Sequence, residues 1–216
     1  MDFSPEPSPD SELLLAIRSG DPSRAMPALA SLRQWPAAEA IPLLLIGLQQ
    51  TAFSIRSLCC AGLGFKRSEA GRQALIKVLG DDPDANVRAE AANALAYYGV
   101  VDAWPLLRQT FAKDDHWLVR SSILAALAED PAMQPAWLLD LAELALGGND
   151  GTVRVAGAEV LGRLLGPSPG QQSDPVVGDL ARERLRLLIK DPDHLVVAAA
   201  LNGLHGQRGG SDPGEV

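Results

Sequence analysis

One segment, ending in leucine, recurs along most of this 216-residue chain, and that recurrence limits the possible folds more than any other feature. Asp84-Ala-Asn-Val-Arg-Ala-Glu-Ala-Ala-Asn-Ala-Leu95 and Asp150-Gly-Thr-Val-Arg-Val-Ala-Gly-Ala-Glu-Val-Leu161 carry valine, arginine and the final leucine in the same columns. His116 to Leu127 lies between them, Ser54 to Leu63 comes before, and Asp193 to Leu204 follows with Val197 in the arginine column. Asp21 to Leu32 is the earliest and most degenerate copy. The final leucines are residues 32, 63, 95, 127, 161 and 204, so the steps are 31, 32, 32, 34 and 43 residues. A period in this range marks stacked supersecondary units, each unable to bury its apolar stripe alone.

Each copy is preceded by a second stretch with apolar residues at helical spacing: Ile41 to Leu48, Ala70 to Leu79, Trp104 to Phe111, Trp137 to Leu146 and Leu180 to Ile189. The unit is therefore helix, turn, helix. Asp21, Asp84, Asp150 and Asp193 stand at the start of the second helix. A carboxylate there accepts the free N–H groups of the first turn, worth roughly 1 kcal/mol. The long last step is explained by Gly166 to Pro175, a turn-rich insertion. Leucine and alanine dominate the apolar fraction and aromatics make up only 5% of the chain, which suits closely packed helices. These features predict one all-α array over residues 11–205, with a disordered acidic start at 1–10 and a disordered tail at 206–216.

Several function classes fit poorly. A net charge of −8 gives no basic footprint for nucleic acid. No apolar run reaches the roughly 18 residues of a membrane span, so membrane insertion is not expected. Met1 to Asp10 is acidic and carries three prolines, unlike a signal or transit peptide. The adjacent Cys59 and Cys60 make no disulfide framework, which suggests a reducing compartment and a cytoplasmic location. His116, His194 and His205 fall in different repeat columns, and no spacing fits a metal site. No phosphate-binding loop or Gly-x-Ser-x-Gly elbow is present, and no catalytic residue is assigned.

Asp82…Val87-Arg88 and Asp114…Val119-Arg120 resemble the Asp…Val-Arg signature of HEAT repeats, and Pro42 and Pro105 resemble that family's first-helix proline. The short period, with Asp82-Pro-Asp-Ala-Asn-Val-Arg running on to Leu95, is similar to the phycobilisome-lyase-like subclass. Trp117-Leu-Val-Arg-Ser-Ser-Ile-Leu-Ala-Ala-Leu-Ala-Glu129 is similar to cyanobacterial non-bleaching phycobilisome degradation proteins. The resemblance implies a right-handed α-solenoid of about six HEAT-type helix-turn-helix repeats. It implies a protein-binding adaptor acting on phycobiliprotein subunits in antenna degradation or turnover, with no cofactor of its own and bilin as a ligand of the partner. Two alternatives stand beside it: a bilin lyase subunit, and a generic interaction scaffold.

Four groups of residues are candidate sites. Arg56, Arg88, Arg120 and Arg154 form a column that reads either as an anion clamp or as a structural ladder bonding turn carboxylates. Cys59 and Cys60 occupy columns filled elsewhere by Ala91-Ala92 and Ile123-Leu124, as small core residues do; a nucleophile would need a positioned base. Tyr97, Tyr98, Trp104 and Trp117 are either core or a pocket. In solenoids of the resembled kind the second helices line the concave side. With the last leucine buried, outward positions there are Ser54, Ser57, Leu58, Ala61 and Phe65; Asn86, Ala89, Glu90, Asn93 and Tyr97; Leu118, Ser121, Ser122, Ala125 and Glu129; and Thr152, Val155, Ala156, Glu159 and Arg163. Few of these are charged. The expected partner-binding surface is an apolar trough of Ser57, Leu58, Ala61, Phe65, Ala89, Tyr97, Leu118, Ser121, Ala125 and Val155. The competing reading is that curvature buries these small residues within the array.

Overall fold

The computed structural model describes residues 9–166 and 172–206. The start at 1–8, the centre of the insertion at 167–171 and the tail from 207 lie outside the described residues, and with them most of the two terminal segments read from sequence as disordered.

Every regular element among the described residues is helical. The α-helices are α1 (Pro9–Arg18), α2 (Pro22–Ser31), α3 (Ala37–Gly47), α4 (Phe53–Lys66), α5 (Glu69–Asp81), α6 (Ala85–Ala96), α7 (Val100–Lys113), α8 (Trp117–Ala128), α9 (Pro135–Leu146), α10 (Gly151–Leu165), α11 (Pro175–Leu188) and α12 (His194–His205). A short 3₁₀ turn, Leu32–Gln34, follows α2. The five first helices and six second helices read from the repeat all form, and α1 completes the first pair.

The helices fall into two compact units with the boundary after Gly99, inside the span 11–205 read from sequence as one array. Each unit holds three antiparallel helix pairs. In the first, α2 packs on α4 and α4 on α6, so the second helices form one layer; in the second, α8 packs on α10 and α10 on α12. Each unit is thus a short α-solenoid.

Local chemistry explains the helix starts. Asp21 accepts from Ser23 N, Asp84 from Asn86 N, Asp150 from Thr152 N and Val153 N, and Asp193 from Leu195 N. Ser68 caps α5 through Gly71 N, Asp174 caps α11, and His116 Nδ1 takes the aspartate's role at α8. Pro42 and Pro105 lie inside α3 and α7 and are exposed, so the carbonyls they leave without a donor can turn to water.

The core follows the repeat columns. Leu32, Leu63, Leu95, Leu127 and Leu161 are buried, while Leu204 on the last described helix is half-buried. The second-helix layer is tight because small residues line it. A Cβ added at Gly64 would stand 2.9 Å from the Ala94 Cα, closer than real Cβ contacts come, so α4 and α6 meet backbone to backbone there. Cys59 and Cys60 are fully buried free thiols. Burial pushes both thiols up, Cys60 to about 12, which makes them poor nucleophiles and agrees with their reading as core residues.

Candidate functional site

The inner layer of the first unit opens into a cleft of about 740 Å³, within the roughly 300–1,000 Å³ typical of binding pockets. Its floor is aliphatic: Leu29 and Leu32 from the first pair, Leu44 from α3, and Leu58, Ala61 and Gly62 from α4. Gly62 has no side chain, so the Leu44 methyls reach up beside it; a Cβ there would stand 2.6 Å from Leu44 Cδ2. Phe65 and Tyr97, both about 60% exposed, stand at the helix C-terminal ends and wall one end. Large aromatics this open on a helical layer are typical contact residues rather than core.

Positive charge enters from positions outside the inner-face columns. The Arg33 guanidinium lies 5.3 Å from the Phe65 ring centroid, and the Lys66 ammonium lies at the same distance. Lys66 Nζ also donates to the Arg33 and Trp35 carbonyls, at 2.9 and 2.5 Å, which ties α4 to the turn after α2. Arg67 follows α4 with φ of 44°, in the left-handed region that non-glycine residues rarely adopt. Glu90 is half-buried in the same cleft and hydrogen-bonded with Asn93; burial raises its carboxyl above the ordinary value.

Four of the ten residues expected in the trough, Leu58, Ala61, Phe65 and Tyr97, are gathered in this cleft. Ser57 is half-buried on α4 outside its lining. Ala89 is a correction: it is buried, at 4% exposure, and offers no surface. The reason is the make-up of α6, where Val87, Ala89, Ala91, Ala92, Ala94, Leu95 and Ala96 are all buried. A helix with such short side chains lets its neighbours close over positions that a longer residue would hold open. In the second unit, Leu118, Ser121 and Val155 are half-buried and Ala125 is exposed. Ser121 Oγ is shielded from solvent and has no hydrogen-bond partner. A smaller cleft in that unit, about 350 Å³, is lined instead by Glu159, Gly162, Arg163, Ala199, Asn202 and Gly203. Arg33, Lys66 and Arg67 were missed by the sequence reading. Their only signal is a run of basic residues at the ends of the first two repeats.

The other candidate groups are structural. Arg56 pairs with Asp82 through Nε and Nη2, at 2.7 and 2.9 Å, and donates Nη1 to the Gln50 and Thr51 carbonyls. Arg88 donates to the Asp82 and Pro83 carbonyls, and Arg154 pairs with Asp191. Arg120 donates to the Leu144 carbonyl and lies over the Phe111 ring. The column is a ladder of turn contacts. The aromatic group also resolves into separate roles. Tyr98 Oη donates to the Leu63 carbonyl and accepts from Ser68 N, and Trp104 is buried and stacks on Trp137 with ring centroids 5.1 Å apart. Trp117 is half-exposed beside His116, and Tyr97 lines the cleft.

Known proteins supply a family pattern and a structural likeness. Residues 41–128, from within α3 to the end of α8, match the family of HEAT repeats. The crystal structure of an engineered protein from the Northeast Structural Genomics Consortium is similar in fold. Its TM-score is 0.52 at 19% identity, with 95% of this chain and 98% of that one covered. No curated protein matches the chain. With the paired helices described above, these matches give an all-helical solenoid fold whose residues 41–128 carry the HEAT-repeat pattern. Among the described residues no helix is long and apolar enough to cross a membrane.

Proposed function

We propose that this chain is a protein-binding adaptor and that its partner docks on the inner helices of the first unit. The observation that carries this reading is the cleft itself: an open aliphatic floor walled by the exposed Phe65 and Tyr97, on a layer where surface helices usually carry charge. The helices beneath are fixed by the Arg56–Asp82 pair and by the Gly64–Ala94 approach, so the surface is preorganised and little ordering cost attends binding.

In finer terms, the proposed partner is a phycobiliprotein subunit, and the proposed process is antenna disassembly or turnover in the cytoplasm. Support for this comes from the sequence resemblance carried by residues 82–95 and 117–129. Bilin enters as a ligand of the partner, and the adaptor carries no cofactor. A second reading, a chromophore lyase subunit, draws on Arg33 lying beside the Phe65 ring and Arg67 lining the same cleft, a setting that suits a planar molecule with carboxylate arms.

The test is binding of purified phycobiliprotein subunits to the immobilised chain. Leu58→Glu places a charge on the cleft floor and is expected to weaken capture at least about tenfold, or roughly 1.4 kcal/mol, with little change in melting temperature. Normal capture by folded Leu58→Glu would move the docking surface elsewhere. No binding of phycobiliprotein by the wild type would remove that partner. Transfer of bilin absorbance to an apo-subunit, dependent on Arg33 and Arg67, would favour the lyase.

A further inference from the structure

The cations around the cleft are unusual for this molecule. The chain carries a net charge of −8, yet the cleft brings Arg33, Lys66 and Arg67 together against one acidic group, Glu90. Several arginines elsewhere are matched to carboxylates, among them Arg56 to Asp82, Arg108 to Asp140 and Arg154 to Asp191. Arg33 and Arg67 have no carboxylate partner among the described residues, and both are exposed.

Two features hold the charges where they are. Lys66 spends two of its donors on the carbonyls of Arg33 and Trp35, which fixes its ammonium over the Phe65 ring. Arg67 occupies the position after a helix where glycine usually stands and adopts φ of 44°. A non-glycine residue held there costs conformational energy, and such positions cluster at ligand-binding elements.

We propose that this cleft docks an acidic–apolar segment of a partner protein. An aliphatic side chain would enter over Leu44, Leu58 and Ala61, and neighbouring aspartate or glutamate side chains would meet Arg33 and Arg67 at the rim. The volume of about 740 Å³ admits side chains rather than a folded surface, so the docked element is a protruding segment. Arginine's planar fork suits carboxylates, and a rim-exposed pair of them gives specificity and association rate more than raw affinity. This inference rests on the adaptor reading above and adds the chemistry of what is bound.

The experiment is a selection of random peptides displayed on phage against the immobilised full-length chain, with affinities then measured for the enriched peptides. Enriched sequences are expected to combine Asp or Glu with an adjacent Leu, Ile or Phe. Their binding should fall at least about tenfold in Arg33→Glu/Arg67→Glu and in Leu58→Glu, and should weaken as salt is raised. Arg33→Gln/Arg67→Gln, which only removes charge, should give a smaller loss. Enrichment of neutral or basic peptides, no enrichment, or undiminished binding to the folded charge-reversal variant would each overturn the proposal. So would equal binding of anionic lipid vesicles to the wild type with no peptide preference. Failure here is distinguishable from failure of the adaptor reading. If phycobiliprotein capture is lost in Leu58→Glu but intact in Arg33→Glu/Arg67→Glu, the cleft stands as a docking site and its acidic selectivity does not.

Discussion

Asp82 is held through its carboxylate by Arg56, 26 residues earlier, while Arg88 in its own repeat donates to its carbonyl. The guanidinium of one repeat reaches forward to the turn aspartate of the next, and both groups are nearly enclosed, with side chains 12% and 7% exposed. Arg154 and Asp191 repeat the arrangement in the second unit. Each such pair joins successive repeats, so the ladder fixes stacking as well as turn geometry. Removing Arg56 would strand a buried carboxylate. Arg56→Ala is therefore expected to cost roughly 3 kcal/mol, measured by chemical denaturation, and Arg120→Ala only about 1 kcal/mol, because among the described residues Arg120 meets a carbonyl and the Phe111 ring and no carboxylate. Equal costs would mean that the carboxylate contributes nothing.

The ladder has a gap that can be filled. Counting six residues back from Arg154, as Asp82 stands to Arg88, reaches Gly148, where a carboxylate for Arg120 would be placed. A Cβ at Gly148 would lie 3.0 Å from Arg120 Nη1, the mobile end of a long side chain that can shift by the few tenths of an ångström needed. Gly148→Asp is expected to raise stability by about 1 kcal/mol and to lose that gain in an Arg120→Ala background. A gain that survives loss of Arg120 would point to helix effects instead of the ion pair.

Gly47 is closed off by a cysteine. A Cβ added there would fall 2.3 Å from Cys59 Sγ, while its other neighbours, Leu29 and Ile17, lie at ordinary contact distance. Gly47→Ala should destabilise by roughly 1–3 kcal/mol through overpacking, and Cys59→Ala should recover most of that loss in the double variant. Both thiols should resist alkylation in the native protein and react once it is unfolded, since burial disfavours the thiolate.

Glu90 sets a pH dependence. Burial raises its carboxyl above the ordinary 4.5, so the native state binds the proton more readily than the unfolded chain. Its contribution to stability is full below pH 4.5 and is lost as the pH rises through the folded value. Glu90→Gln should therefore stabilise the protein at neutral pH, and the difference should vanish below about pH 4.5, where wild type is neutral too. Thermal melts across that range decide it. A constant difference at all pH values would show that lost contacts, such as that with Asn93, outweigh the charge.

Much of what is carried by contacts within one turn was legible in the sequence, though the caps at Ser68, His116 and Asp174 were not read from it. The leucine column, the helix pairs and the caps at Asp21, Asp84, Asp150 and Asp193 depend on residues two to four positions apart, and such spacing is written directly in the chain. What crosses repeats was not. Ser57 and Ala89 share a column, yet Ser57 is half-buried and Ala89 is buried, because exposure depends on how closely neighbouring helices approach. Asp82 could have served either of two arginines, and stacking chose the earlier one. Arg33, Lys66 and Arg67 belong to no inner-face column. Arg33 and Lys66 meet at Phe65, with Arg67 lining the same cleft, because the turn after α2 is tied to the end of α4, a juxtaposition more than 30 residues apart in sequence that no local pattern encodes. Local spacing therefore determined the repeat, and the packing of one repeat on the next decided which of its surfaces stayed open and what charge gathered there.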